Sequence, residues 1–268
     1  MIFSGFIKFV KFLAGHRYLI WSMAKREIAG QYVGSFLGFF WTFLKPIVII
    51  GIFWFVFSVG FRSKPMGDVP FVVWLAAGLA PWFCFADIVG SATGAVIGNA
   101  HLVKKTQFPP QILPVIKLIS SLVTHMVFII ILVVLLLIQG IPITIYSFQF
   151  IYYLFCFSML ALGISWLVSS LNVFIRDVGQ IVALLLQIGF WVSAIFWDIS
   201  MFSEKIQLWL KLNPFIYVVQ GYRDSFISGI GFWHQGAYNL YFWGVTLITL
   251  LGGAFVFRKL RPQFADVL

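Results

Sequence analysis

Apolar residues gather into six long runs, at 36–60, 71–97, 112–138, 148–171, 179–197 and 237–257, and the links between them carry most of the charge. A hydrocarbon core about 30 Å thick needs roughly 20 helical residues per crossing, and each run is close to that length. Six transmembrane helices are predicted. The residues ahead of the first run, 1–35, are amphipathic rather than spanning. Ser4, Lys8 and Lys11 fall at i, i+4 and i+7 and make one polar stripe beside Phe3, Ile7 and Val10. Lys25, Arg26 and Glu27 interrupt a second segment at 18–32. Both segments are predicted to be amphipathic interface helices, with a plain basic juxtamembrane tail as the alternative.

The longest link is 199–236. Phe202, Ile206, Trp209 and Leu210 share a helical face while Glu204, Lys205, Gln207 and Lys211 lie elsewhere, which predicts a surface helix. After Asn213 and Pro214 comes an apolar stretch, 215–227, that carries Gln220, Arg223 and Asp224. It is too short and too charged to cross. A re-entrant helical hairpin between spans five and six is predicted instead. The fold class is therefore all-α integral membrane, with an interface segment at 1–35 and a single six-span domain at 36–268.

Composition agrees. Of 268 residues 62% are apolar and 10% are charged, whereas soluble domains run near 45–50% and about 25%. A soluble fold of this length could not hide so much apolar surface. The net charge is +10, but the basic residues flank apolar runs rather than forming a phosphate-tracking stripe, so no nucleic acid partner is expected. Placing the amino terminus inside puts eleven of the 18 basic residues on the cytoplasmic side, and both termini are expected there. Were 215–227 a crossing, Arg258, Lys259 and Arg261 would end outside, against that bias.

Candidate chemistry is sparse. Cys84 and Cys156 lie within apolar runs and are expected to be free thiols. His16, His101, His125 and His234 show no metal-ligand spacing, no Gly-rich phosphate loop occurs, and no carboxylate pair suggests group transfer. Neither a metal nor a nucleotide is expected on this chain. Lys8, Lys11 and Arg17 break every stretch that would serve as the core of a secretory signal, so none is expected.

Packing signals are richer. Gly30, Gly34 and Gly38 repeat every four residues, as do Gly90, Gly94 and Gly98. Such ridges let helix backbones approach in lipid, so they are expected to pack spans one and two or to join two copies. Lys45 and Asp87 are the ionisable residues deepest in the runs, and a charge at mid-bilayer costs about 2.5–3.5 kcal/mol. They fall at similar depth from their span ends, which predicts an intramembrane ion pair; a proton relay is the other reading. The 32 Phe, 11 Trp and 9 Tyr exceed what interfacial belts need. Aromatic faces also suit a surface along which sugar rings slide, although packing or lipid contact is the plainer role for any one ring. The link from Asn99 to Pro110 is short and basic, and Pro109 and Pro110 stop one helix and angle the next. That rigidity fits a lever taking force from a soluble partner.

Three blocks occur in order along the chain. The first holds Arg26, Glu27, Ile28, Tyr32, Ser35, Phe36, Leu37, Gly38, Trp41, Leu44, Lys45 and Pro46. The second holds Gly78, Leu79, Ala80, Pro81 and Trp82, then Asn99, Leu102, Val103, Lys104, Lys105, Phe108, Pro109, Leu113 and Pro114. The third holds Leu171, Asn172, Val173, Phe174, Arg176 and Asp177, then Asn213, Pro214, Tyr222 and Arg223. Together they resemble the transmembrane permease subunit of ABC exporters for polysaccharides, which include O-antigen, capsule and teichoic acid exporters. The chain departs from that pattern at Val33, where a basic residue is common, at Gln111, where an acid is common, and at Ala194, where a proline often ends the fifth span.

The resemblance implies a homodimer in the bacterial cytoplasmic (inner) membrane, with the transport path between subunits. It also implies a separate nucleotide-binding ATPase subunit that holds ATP and Mg, leaving no cofactor on this chain. A coupling loop at 98–111 would press into the ATPase through His101, Leu102, Val103, Lys104, Lys105, Phe108 and Pro109. Lys25 and Arg26 would meet the headgroup of a polyprenyl-diphosphate-linked polysaccharide arriving from membrane lipid. Phe36, Phe40, Phe43, Phe190 and Trp191 would line the pore. Trp209, Asn213, Pro214, Tyr222 and Arg223 would belong to an extracytoplasmic gate at 199–236. An exporter of a drug or small lipid with the same fold stays open. A membrane enzyme acting on polyprenyl phosphate lacks its clustered acids, and an ion-coupled transporter lacks the inverted repeat.

Overall fold

A computed structural model describes residues 11–62, 69–105 and 108–268, so the stripe of Ser4 and Lys8 lies outside the described residues. Its long elements are helices: α1 (Arg17–Gly30), α2 (Trp41–Trp54), α3 (Phe71–Thr93), α4 (Leu113–Ile138), α5 (Phe150–Phe174), α6 (Asp177–Val192), α7 (Glu204–Leu210), α8 (Pro214–Arg223) and α9 (Gly236–Leu260). Among the described residues, five stretches are long and apolar enough to cross a membrane: Gly38–Gly60, Phe71–Thr93, Pro110–Ile138, Ile145–Phe174 and Phe232–Val267.

The fifth predicted run gives less. Its helix, α6, has 16 residues, or about 24 Å at 1.5 Å per residue, short of a full hydrocarbon core. The helix stops where it does because Ala194 adopts a left-handed conformation, φ 55°. Proline, confined near φ −65°, could not take that conformation, which accounts for the departure from the expected residue.

Helix α3 is the centre. It buries 78% of its most apolar window and packs against α4, α5, α6 and α8. The α5–α9 pair forms the closest crossing. There a Cβ added at Gly163 would sit 2.6 Å from the Leu250 amide nitrogen, and one added at Gly253 would collide with the Gly163 carbonyl. Small residues let two backbones meet in lipid, as expected, but at other positions than the repeats suggested. The regular repeats do not pack spans one and two. Gly34 and Gly38 have φ of 78° and 49° and turn the chain from α1 into α2, and nothing lies within 4 Å of a Cβ at Gly30, Gly34, Gly38, Gly94 or Gly98. Gly90 meets only the α6 residue Leu186, at 3.7 Å.

Candidate functional site

At the end of the bundle where α4 begins, α1 lies against α4. Ile20, Ala24 and Glu27 fall at i, i+4 and i+7, one face of a helix; the first two are buried and the third forms an ion pair with Lys117 of α4. The side chains keep 16% (Lys117) and 33% (Glu27) of their surface, so the pair is half-buried. The expected Lys45–Asp87 pair is absent. Asp87 instead accepts a hydrogen bond from Ser121 Oγ at 2.5 Å, Lys45 is exposed, and among the described residues the one ion pair is Glu27–Lys117. Depth alone suggested the wrong partners, because α1 folds back onto α4 and brings its carboxylate to a cation that the runs merely contained.

A cavity of about 330 Å³ opens beside this pair, lined by Arg26, Gln31, Asn99 and Leu102 as well as the two charged partners. Glu27 is its one acid. Of the two candidate headgroup residues, only Arg26 lines it; Lys25 turns away and sits 5.3 Å from the Trp21 ring centroid.

The expected coupling loop borders the same cavity. Ala100–Val103 is a single helical turn, and Asn99 donates to Ala95 O at 2.9 Å just before it. Val103 and Pro109 are buried, Leu102 and Phe108 half-buried, and His101, Lys104 and Lys105 exposed. Apolar side chains therefore fix the turn to the bundle while its cations face outward. Two supports lie outside the expected coupling loop. The last helical turn, Phe264–Val267, packs on Ala100–Val103, with Phe264 buried between Phe174 and Phe257. Asn172 donates to Thr93 O at 3.0 Å and accepts from Gly179 N at 3.1 Å, tying the ends of α3, α5 and α6 together.

At the opposite end, α8 inserts between α3, α5 and α9. Asn213 caps it, accepting from Phe215 N at 3.0 Å and donating to Ser193 Oγ at 3.0 Å, and Pro214 occupies its first turn, where a missing N–H costs nothing. Tyr222 is fully buried and donates to His125 Nε2 at 2.9 Å, while His125 Nδ1–H donates to Ala80 O at 3.2 Å. Arg223 is buried too. Its guanidinium lies 3.3 Å from the Trp74 ring centroid and donates to Ile195 O at 3.0 Å. Burial pulls its pKa down to about 9, with the carboxylates of Asp198 and Asp224 working the other way. Burial pushes Asp224 up, opposed by the amides of Gln220 (2.9 Å) and Gln235 (2.5 Å) and by Arg223. Trp209 does not join this group; it stands exposed on α7.

His125 was the residue the sequence hid. It has no titratable neighbour in sequence, so its role as a link between two spans and α8 shows only in three dimensions.

The five candidate pore aromatics also divide. Phe190 and Trp191 belong to one cluster, with ring centroids 5.6 Å apart, which takes in Phe53, Trp82, Phe83 and Phe196 around Phe190. Phe36 and Phe40 are exposed, and Phe43 meets Phe39 at 5.7 Å instead.

Residues 18–227 match the family model described as an ABC-2 type transporter. The chain is 27% identical over 251 residues to an O-antigen export system permease protein, RfbA, of Klebsiella pneumoniae, covering 92% of this chain and 93% of that protein. It is 27% identical over 265 residues to the protein of the same name from Myxococcus xanthus, covering 97% and 99%. It is 23% identical over 238 residues to the polysialic acid transport protein KpsM of Escherichia coli, covering 87% and 90%. With that match spanning most of its length and its apolar helices long enough to cross a bilayer, this chain belongs to the ABC-2 type transporter family.

Proposed function

We propose that the chain is the membrane-spanning subunit of an ATP-driven exporter that moves a lipid-linked polysaccharide across the bacterial cytoplasmic membrane. In this reading it works as a homodimer with both termini in the cytoplasm, and a separate ATPase subunit binds and hydrolyses ATP with Mg. Helix α6, completed by 193–197, supplies the sixth crossing. Relatives of similar length named for O-antigen export and polysialic acid transport support the cargo class.

The observation that carries the proposal is the cavity beside Glu27 and Lys117. Its walls come from the interface helix α1, from the coupling residues Asn99 and Leu102, and from the first turns of α4. A diphosphate headgroup would meet Arg26 and Lys117 there, two cations against one acid. Force applied to Lys104 and Lys105 would deform the wall of that same cavity, so energy input and headgroup loading share one set of residues. The homodimer is supported by the first span, which buries 11% of its most apolar window, and by α6, in which Val182 is the one buried residue. Those faces are free for a second copy, and Phe190 and Trp191 border them.

The test is co-purification with the candidate ATPase subunit, followed by export in vesicles. Lys104→Glu with Lys105→Glu is expected to weaken ATPase capture and polymer export while leaving the permease folded. Wild-type behaviour in both assays refutes the coupling assignment. ATP hydrolysis by the chain alone refutes the division of labour.

A further inference from the structure

A second cavity, of about 400 Å³, lies at the α8 end of the bundle, walled by the break after α6, by α7, by α8 and by the first residues of α9. It is within the size range of small-ligand pockets. Two cations line it. Lys211 closes α7 on one side. Arg223 lines the floor, is 3% exposed, and its Nε–H has no acceptor although its terminal nitrogen is satisfied by Ile195 O. Gly236, Ala237 and Tyr238 also line it, where the 3₁₀ turn Phe232–Gln235 runs straight into α9.

No carboxylate lines the cavity. The nearby acids act on Arg223 from outside the cavity and are hydrogen-bonded to other groups: both Asp224 oxygens accept from Gln220 and Gln235, and Asp198 accepts from Ser200 N at 2.8 Å. Ile199, Ile216 and Val219 make part of the cavity wall apolar. A buried guanidinium donor without an acceptor is costly, and an incoming oxyanion would remove that cost.

We propose that this cavity is an oxyanion subsite for a sugar-sized ligand, the anion being a carboxylate or phosphate held by Arg223 and Lys211. Only the source of that ligand rests on the exporter reading: acidic units of the emerging polymer, or the phosphate of an outer-leaflet lipid.

The experiment is saturation-transfer NMR on the full chain in phosphatidylcholine nanodiscs, with glucuronate, glucose and glycerol 3-phosphate as probes. Transfer to glucuronate and glycerol 3-phosphate but not to glucose is expected. Lys211→Gln should weaken it about two- to fivefold, the range of an exposed ion pair. Ala237→Trp, which adds bulk at a lining residue, should abolish it, with the melting curve checking that the chain stays folded. Equal transfer to glucose, no transfer to either anion, or transfer that survives Ala237→Trp overturns the proposal. Repeating the measurement in phosphatidylglycerol nanodiscs assigns the source, because suppression of the glucuronate signal identifies the lipid and persistence identifies the cargo. These outcomes do not depend on ATPase capture or export, so failure of the subsite and failure of the exporter reading are told apart.

Discussion

The Glu27–Lys117 ion pair is the sharpest place to test how α1 is held. Fully exposed pairs contribute about 0.2–1 kcal/mol, whereas breaking a buried pair costs about 3–5 kcal/mol. With 16% and 33% of the two side chains accessible, this pair falls between those limits, and a coupling energy of about 1–2 kcal/mol is expected. The two single substitutions should differ. Lys117→Met leaves Glu27 with its neighbour Arg26, a second cation lining the cavity. Glu27→Leu removes the one acid and leaves two cations facing each other, so it should be the more damaging. A double-mutant cycle of Glu27→Leu and Lys117→Met, read by thermal unfolding in detergent, measures the coupling directly. A chain of this size shifts by roughly 2–4 °C per kcal/mol. Single-mutant effects that add to within about 0.3 kcal/mol, or a larger loss from Lys117→Met, would refute the reasoning.

Three further outcomes follow from the packing. Gly253→Ala is expected to lower stability by at least about 1–3 kcal/mol, because the clash at the α5–α9 crossing is with backbone that cannot yield; Gly252→Ala, with open space around it, should leave the melting temperature unchanged. His125→Phe strands the buried Tyr222 hydroxyl and should cost about 1–3 kcal/mol, and adding Tyr222→Phe should recover part of it; no recovery in the melting curve counts against the link. Ala194→Gly should stabilise by about 1 kcal/mol by relieving the left-handed strain, while Ala194→Pro should fail to accumulate as folded protein in size-exclusion profiles.

The spans were legible because lipid demands long apolar runs, and the helices begin and end within a few residues of those runs. The run at 179–197 was less so, since the conformation of Ala194, a property of backbone and surroundings, decides where α6 stops. The glycines show where periodicity misleads. Gly34 and Gly38 have the spacing of a packing ridge but are spent on left-handed turns. The pair that does bring helices together, Gly163 and Gly253, is split between two distant runs, where neither stands out. The ion pair failed for a related reason. Matching depths assumes that neighbouring spans pair with each other, and the folded-back α1 offered Lys117 a closer carboxylate. Residues singled out by the motif blocks fared better: Asn172, Asn213, Tyr222 and Arg223 all make defined contacts, though with partners that no spacing revealed.

Those contacts also distinguish three helices too short to cross a membrane, α1, α7 and α8. Helix α8 buries eight of its ten residues and is tied to the spans by Tyr222 and Arg223. Helix α7 has no buried residue, and α1 buries two, Ile20 and Ala24, beside its one ion pair. Local opening is cheapest where few apolar contacts must be given up. If 199–236 gates a path, α8 therefore cannot swing on its own; it must move as one body with α3, and α7 is the part free to lift from the surface. At the other end α1 is held by Ile20, Ala24, part-buried Met23 and the pair, fewer contacts than hold α8. Hydrogen exchange of the protein in nanodiscs tests this order: amides of α7 and α1 should exchange well before those of α8, and α8 should match α3. Exchange in α8 as fast as in α7 would mean that its buried tyrosine and arginine do not anchor it, and the gate would then be a hinge at Asn213 rather than a rigid shift of α3 and α8 together.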